Sequence, residues 1–114
     1  MSDCIFCKIA SGEVTVELVY EDDWVVAFND LNPQAPSHVL VIPRQHIARI
    51  SETLPEHAEL IGRLVLVANT VACQRDIVDP GYRLVFNCNE AAGQSVWHIH
   101  LHLLGGREFG WPPG

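Results

Sequence analysis

The sequence has no long apolar run and no cluster of basic residues. No segment approaches the roughly 20 consecutive apolar residues that cross a bilayer, and residues 1–7 lack the basic start and apolar stretch of a secretory signal. We therefore expect a cytoplasmic protein that does not enter membranes. Seven Lys and Arg against fourteen Asp and Glu give a formal net charge of -7. This acidic balance argues against polymeric nucleic acid as a partner.

Cysteine is also scarce, with four in 114 residues. Because the expected compartment is reducing, we predict that these thiols form no disulfides. Cys73 and Cys88 are expected in the core, where unpaired cysteines usually lie. Cys4 and Cys7 form a Cys-x-x-Cys pair, which is half of a zinc site at a standard spacing. The alternative is that both are small core residues on a short helix.

Repeats, linkers and low-complexity tracts are absent, so residues 1–114 are predicted to form one domain with an ordinary core. Apolar residues recur every three or four positions from Glu56 to Arg75, which predicts one long helix. A short helix is expected over Cys4–Ala10, ended by Gly12. Strands are predicted at 17–20, 24–29, 39–42, 83–87 and 96–104. This order favours an α+β fold, an antiparallel five-stranded sheet with helices on one face.

Three histidines alternate in the last predicted strand. Side chains on a strand alternate faces, so His98, His100 and His102 are expected on one face, about 6.5 Å apart in sequence order. Trp97 and the other apolar residues of 97–103 would face the core. The histidines are spaced to contact one small ligand or one metal ion together, since imidazole is a common zinc ligand. A merely solvated polar face is the simpler alternative.

The turn that precedes these histidines favours a phosphate for the set as a whole. Gly93, Gln94 and Ser95 supply flexibility, an amide, a hydroxyl and backbone N–H groups that can point at an anion. Asn87, at the end of the preceding strand, is a further candidate amide donor. An Asn at a strand end is more often a turn residue.

Residues 93–102 resemble the signature of the histidine triad family, in its nucleotide-binding branch. The similarity extends, in order, to residues 4–9, 32–38, 41–46 and 111–114, so that it covers nearly the whole chain. The resemblance implies a histidine triad fold and a purine nucleoside phosphoramidate or related nucleotidyl substrate.

By this resemblance His100 is the nucleophile that forms a covalent nucleotidyl intermediate at the α-phosphate. Imidazole attacks phosphorus at neutral pH, and a covalent route replaces one difficult step by two easier ones without metal. His102 is expected to protonate the departing amine or to position the phosphate, with Ser95 beside it. His38 is expected to support the site, through a contact that fixes the tautomer of the nucleophile.

The resemblance also indicates which residues bind the nucleoside. Asp30 is expected to accept hydrogen bonds from both ribose hydroxyls, although its turn-rich surroundings by themselves favour a turn aspartate. An apolar slot for the base is expected from Phe6, Ile9, Phe28 and Leu31, each of which could equally be a core residue. Such a slot discriminates only loosely among bases, so both AMP and GMP conjugates are expected to bind.

Some members of the resembled family complete the cysteine pair with two histidines and bind structural zinc, and others lack the cysteines. His46 and His98 are the corresponding residues, so a zinc site of Cys4, Cys7, His46 and His98 is expected here. In that case only His100 and His102 face the phosphate.

The C-terminal residues 108–114 are too apolar and too proline-rich for a solvated tail. In the resembled branch this segment reaches the active site of the partner subunit, which predicts a twofold homodimer with the long helix and a sheet edge at the interface. His57 has no such context and is expected to face solvent.

Two other functions remain open from the sequence. One is dinucleoside polyphosphate hydrolysis, found in another branch of the same superfamily, although the Trp-Pro-Pro-Gly ending does not favour it. The other is a nonenzymatic, zinc-stabilised nucleotide-binding scaffold, against which the intact triad argues.

Overall fold

Five antiparallel strands form one sheet in the computed structural model, which describes residues 3–114. Met1 and Ser2, the start of the segment considered for a secretory signal, lie outside the described residues. The strands are β1 (Leu18–Glu21), β2 (Val25–Asn29), β3 (Ser37–Pro43), β4 (Tyr82–Val85) and β5 (Leu101–Gly105), in the spatial order β1-β2-β3-β5-β4. The predicted α+β class is confirmed.

The short N-terminal helix α1 (Ile5–Ser11) forms as expected. Cys4 caps its start, because the Cys4 Sγ accepts a hydrogen bond from the backbone N–H of Cys7 at 3.4 Å. Gly12 ends it with a φ of 83°, a left-handed conformation that favours glycine. The helix buries Phe6, Ile9 and Ala10 against the sheet.

The long helix α2 (Ala58–Gln74) covers the opposite face of the sheet, so the expectation that both helices share one face is wrong. The central strands β2 and β3 are buried on both faces. Val26 and Phe28 face α1, whereas Val25 and Ala27 face α2. An apolar strand of this kind needs a cover on each side.

The last predicted strand is shorter than expected. Residues 96–100 are irregular, and β5 begins only at Leu101, which lies opposite Val41 of β3. The Ile99 N–H donates instead to the Ile47 carbonyl at 2.8 Å. Trp97 was expected in the core and is 39% exposed, with the Arg49 guanidinium 5.0 Å from its ring centre.

Three other expectations about individual residues are wrong. Cys73 is exposed, because it lies on the solvent side of α2, and Cys88 is half-buried where the chain leaves the sheet after β4. His57 does not face solvent, since its side chain is only 13% exposed and its Nδ1 accepts a hydrogen bond from the Leu54 N–H at 2.9 Å. Within the described part of the chain, no helix is long and apolar enough to cross a membrane.

Candidate active site

A cavity of about 480 Å³ opens between α1, the end of β2 and the histidine segment. It collects eight residues that the sequence predicted for the site. They are Phe6, Ile9, Phe28, Asp30, Leu31, Ser95, His100 and His102. Residues 74 or more positions apart in the chain, such as Ile9 and Phe28 on one side and His102 on the other, thus line one space.

The floor of the cavity is apolar and the rim is open. The Phe6 ring lies edge-on to Phe28 at 5.5 Å and to His100 at 5.1 Å, measured between ring centres. Leu31 is 98% exposed at the rim. A flat apolar group can therefore enter between a buried aromatic floor and an exposed aliphatic side chain.

His100 holds its ring nitrogens in defined states. Its Nδ1 lies 2.8 Å from the backbone carbonyl of His98, and a carbonyl can only accept, so Nδ1 carries the proton. The lone pair is then on Nε2. Burial lowers the pKa of His100 below the ordinary histidine value, so the ring is neutral near pH 7. A neutral imidazole with a free Nε2 is a competent nucleophile.

A second hydrogen-bond chain sets the state of His102. The Gln34 N–H donates to Nδ1 of His38 at 3.0 Å, which leaves the His38 proton on Nε2. That Nε2 lies 2.9 Å from Nδ1 of His102, to which it can donate. The His102 proton is therefore on Nε2. Burial, aided by His100 and His38, lowers the pKa of His102 to about 4.

His38 was expected to fix the tautomer of the nucleophile. The structure shows a different contact, because His38 bonds to His102, while the carbonyl of His98 orients His100. The sequence could not reveal these hydrogen-bond partners, since both contacts depend on how the segment before β5 bends.

Asp30 combines the two interpretations that the sequence left open. Its Oδ1 accepts the Asn32 N–H at 2.8 Å, as a turn aspartate does, and its Oδ2 lies 3.4 Å from Nε2 of His38. Asp30, His38 and His102 bring one ligand atom each within 4.8 Å of the others. A metal ion does not suit this group, because Nε2 of His38 carries a proton.

Hydrogen bonds of the Gln94 side chain hold the turn at 93–95 in place. Gln94 is buried, and its amide nitrogen donates to the carbonyls of Ala48 at 2.8 Å and Val96 at 3.0 Å. Its amide oxygen accepts the Asn89 N–H at 2.9 Å. The side chain of Gln94, expected to reach a phosphate, instead fixes the loop that presents Ser95 to the cavity.

Gly93 has a φ of 92° and forms the sharp bend before Ser95. Gly93 and Asn87 do not belong to the residues of the described chain that line this cavity. Their predicted contacts with a substrate stay predictions.

Sequence reasoning missed several lining residues, namely Ile5, Val16, Glu17, Asn29, Leu40 and Val96. Leu40 could have been found, because it pairs with Phe28 across β2 and β3 and alternation places both on the same face. The backbone of Gln34 was missed as well, and no sequence pattern identifies a single N–H as a partner for a histidine.

The four residues predicted to bind zinc lie together behind the cavity. Their ligand atoms fall within 4.8 Å of one another. The Cys4 Sγ is 3.3 Å from Nδ1 of His98, and the Cys7 Sγ is 3.3 Å from Nδ1 of His46. Thiol and imidazole donors at tetrahedral spacing suit zinc.

Only one ring nitrogen of the buried His98, Nδ1, is available to bind a metal. Its Nε2 donates to the Pro43 carbonyl at 2.8 Å, so its Nδ1 carries a lone pair that points toward Cys4 and Cys7. His98 does not line the nucleotide-sized cavity. Its backbone carbonyl, however, orients His100, which links the two sites through one residue.

Comparison with known proteins agrees with this geometry. Residues 3–108 match a family described as scavenger mRNA decapping enzyme, C-terminal binding. A purine nucleoside phosphoramidase of Escherichia coli is 46% identical over 95% of this chain and 91% of its own. A 14 kDa zinc-binding protein of Zea mays is 47% identical over 99% and 89% of the two chains. The crystal structure of a HIT family hydrolase from Legionella pneumophila has a TM-score of 0.96 at 49% identity and covers 98% of this chain and 100% of that one.

The fold and the site thus define a small α+β hydrolase with a histidine-lined cavity. The chain belongs to the histidine triad (HIT) family.

Proposed function

We propose that the protein is a purine nucleoside phosphoramidase that acts at the α-phosphate through a covalent intermediate on His100. The observation that carries the proposal is the state of His100. Its Nδ1 is held by the His98 carbonyl at 2.8 Å, so that Nε2 is unprotonated in a cavity with an apolar floor. The name of the Escherichia coli relative supports the same reaction.

In the first step Nε2 of His100 attacks the α-phosphorus, and the bond from phosphorus to the amine nitrogen breaks. The bonding electrons leave with the amine, which takes a proton from solvent. The nucleotidyl imidazole is then cationic, with its Nδ1–H still bonded to the His98 carbonyl. In the second step water attacks phosphorus, the Nε2–phosphorus bond breaks, and one proton passes to solvent as the nucleotide leaves.

The other cavity residues hold the substrate. His102 presents its Nε2–H to a phosphate oxygen, and the Ser95 hydroxyl donates to another. Asp30 accepts from the ribose hydroxyls through the capacity that Asn32 leaves free. The base lies on Phe6 and Phe28. Other predicted contacts, from Leu31 and Ile9 in the slot and from Gly93 and Asn87 near the phosphate, belong to the same proposal.

A structural zinc ion is part of the proposal. Cys4, Cys7, His46 and His98 would hold it, and it would tie α1 to the segment before β5. Zinc supplies no step of the reaction, since the nucleophile is an imidazole outside the metal cluster. Reduced thiols of this kind suit a cytoplasmic protein.

We also propose a homodimer. Strand β4 ends the sheet, and among the described strands it pairs only with β5. Trp111, near the end of the chain, is 86% exposed. A second copy would cover both features.

The proposal is tested with adenosine 5'-phosphoramidate in the presence of EDTA. We expect hydrolysis to AMP, a nucleotidyl adduct by intact-mass spectrometry, and comparable turnover of the guanosine analogue. Cleavage of diadenosine polyphosphates in preference would indicate the dinucleoside polyphosphate branch. AMP binding without any turnover would indicate a nonenzymatic scaffold.

A further inference from the structure

The two cysteines of the metal cluster enclose part of the nucleotide cavity. Only Ile5 and Phe6 lie between Cys4 and Cys7 in the chain, and both line that cavity. The Phe6 ring packs edge-on against Phe28, with the ring centres 5.5 Å apart, and the two rings form the floor of the proposed base slot. A change in the geometry of the cysteine pair therefore acts directly on the nucleotide-binding residues.

The two sulfur atoms are close enough to be joined. Cys4 is the N-cap of α1, and the Cys7 N–H donates to the Cys4 Sγ at 3.4 Å. The sulfur atoms lie within 4.8 Å of one another. A disulfide brings its Cβ atoms to about 3.8 Å, closer than the roughly 5–6 Å between residues three apart on a helix. Formation of this bond must therefore tighten the turn that carries Phe6.

A small oxidant can reach the cysteine pair from solvent. Both cysteines are half-buried, and His46, whose Nδ1 lies 3.3 Å from the Cys7 Sγ, is exposed. A surface depression of about 450 Å³ is lined by Cys4 and His46. Accessible cysteines that lie next to a second, resolving cysteine are the ones that peroxide oxidises reversibly.

We propose that Cys4 and Cys7 form a redox switch, in which hydrogen peroxide converts the zinc-binding pair to a disulfide that displaces Phe6 and lowers nucleotide binding and turnover. The inference rests on the zinc site and the phosphoramidase of the proposed function. It adds regulation by an oxidant, the role that disulfides in a reducing compartment usually have.

The chemistry is a two-electron oxidation of the pair. The Cys4 thiolate, at the wall of the depression, attacks a peroxide oxygen, the O–O bond breaks, and the departing hydroxide takes a proton to form water. The Cys7 thiolate then attacks the Cys4 sulfur, the S–O bond breaks, and this hydroxide also leaves as water. Peroxide is reduced and both cysteines are oxidised. His46 and His98 remain as ligands, too few for a tetrahedral zinc site.

The experiment treats reduced, zinc-loaded protein with hydrogen peroxide in the presence of a chromogenic zinc chelator. We expect about one zinc ion released for each disulfide, a mass loss of two hydrogen atoms, and a peptide that links Cys4 to Cys7. The dissociation constant of AMP should rise roughly two- to tenfold, the loss of one aromatic contact, and kcat/KM should fall by at least as much. Dithiothreitol with added zinc should restore both.

Two variants serve as controls. Cys73→Ser combined with Cys88→Ser removes the other two cysteines of the chain and should respond to peroxide as the wild type does. Cys4→Ser cannot form the disulfide, so peroxide should leave its AMP affinity unchanged. A loss of affinity in Cys4→Ser equal to that of the wild type would assign the effect to another residue and overturn the switch.

The products of oxidation also decide the inference. Disulfides between chains, oxidation confined to Cys73 or Cys88, or irreversible addition of oxygen to Cys4 and Cys7 would each overturn the switch. A disulfide between Cys4 and Cys7 that leaves AMP binding and kcat/KM unchanged would overturn it as well.

Measurements on the reduced protein separate this inference from the proposed function. If the reduced protein fails to hydrolyse adenosine phosphoramidate, the phosphoramidase is overturned, and the disulfide, the released zinc and AMP binding still decide the switch. If the reduced protein holds no zinc, the metal site and the switch are overturned together, whereas hydrolysis of the phosphoramidate still supports the phosphoramidase.

Discussion

Two backbone groups set the tautomers of the three histidines in the site. The His98 carbonyl places a proton on Nδ1 of His100, whereas the Gln34 N–H places one on Nε2 of His38 and, through it, on Nε2 of His102. Neighbouring imidazoles thus receive opposite states. His100 presents a lone pair and His102 presents a donor, as the roles of nucleophile and phosphate-binding partner in the proposed function require.

The first prediction concerns the attacking group. His100→Gly should lower kcat for adenosine phosphoramidate by several orders of magnitude and leave AMP binding largely intact, because Asp30 and Ser95 remain. Ser95→Ala should cost about a hundredfold, the typical loss of one donor to a developing charge. His102→Ala should fall between them. Stopped assays with intact-mass detection check the ranking, and an adduct that persists in His100→Gly would assign the nucleophile elsewhere.

The second prediction concerns stability and pH. The pKa of His102 is about 4 in the folded protein and near 6.5 when unfolded. Between these values only the unfolded chain takes up the proton, so the free energy of unfolding falls as pH drops from about 6.5 to about 4. Above pH 6.5 the group contributes nothing. His38, whose pKa burial also lowers, acts in the same direction.

Urea unfolding at pH 7 and pH 5 measures this effect. His102→Gln should lose less stability than the wild type between the two pH values. His57→Gln is the matched control, because it removes a histidine on the far side of the sheet and should keep the wild-type difference. An equal loss in the wild type and His102→Gln would contradict the assignment.

Helix α1 and the segment 96–100 meet at the four cysteine and histidine side chains. Cys4 and Cys7 come from the first turn of α1, and His98 comes from the irregular segment that leads into β5. A metal here would reinforce the contact that Phe6 of α1 already makes with the rings of His98 and His100. The His98 carbonyl orients His100. Loss of the metal cluster should therefore also disturb the position of the His100 ring, the nucleophile of the proposed function.

The third prediction follows for metal removal. Untagged protein should contain about one zinc per chain by elemental analysis, and Cys4→Ser should lose it, with a fall in Tm of roughly 5 °C or more. We expect kcat to fall by about tenfold, the usual size of a change beside a catalytic residue. The control is Cys73→Ser, which alters an exposed thiol on α2. Metal content near zero, with an unchanged Tm in Cys4→Ser, would favour two core cysteines.

On the scale of the molecule, the C-terminal segment crosses the sheet edge without entering the core. The guanidinium groups of Arg83 and Arg107 lie 5.0 and 4.3 Å from the centre of the Phe109 ring, and the Gly110 carbonyl accepts a hydrogen bond from Arg83 at 2.8 Å. Trp111 beyond it remains exposed. The segment is therefore anchored at its base and free to contact a partner.

The fourth prediction is that deletion of residues 108–114 alters the relative rates among amine leaving groups more than it alters stability. The segment would reach the partner's site in the proposed homodimer, while the chain's own core loses little. Rates for a series of neutral amines, sedimentation of both proteins and their Tm provide the test. An equal loss for all substrates that follows a fall in Tm would make the segment purely structural.

Much of this site was predictable from local patterns. Alternation placed His100 and His102 on one side of the last strand, and Cys-x-x-Cys indicated half of the metal cluster. The three- and four-residue spacing of apolar residues predicted α2 to within about two residues at its ends. These patterns depend on neighbours in the chain, and local backbone geometry is enough to convert them into positions.

The tertiary structure alone decided the chemistry of the histidines. His98 turns to the cysteines, whereas His100 and His102 line the cavity, and the Gln94 side chain holds its own loop. The two helices take opposite faces because β2 and β3 are apolar on both. Each outcome depends on a partner distant in sequence, such as the Pro43 carbonyl for His98, and burial makes that partner obligatory. Local sequence patterns do not reveal such pairings, because the partners come together only when the chain folds.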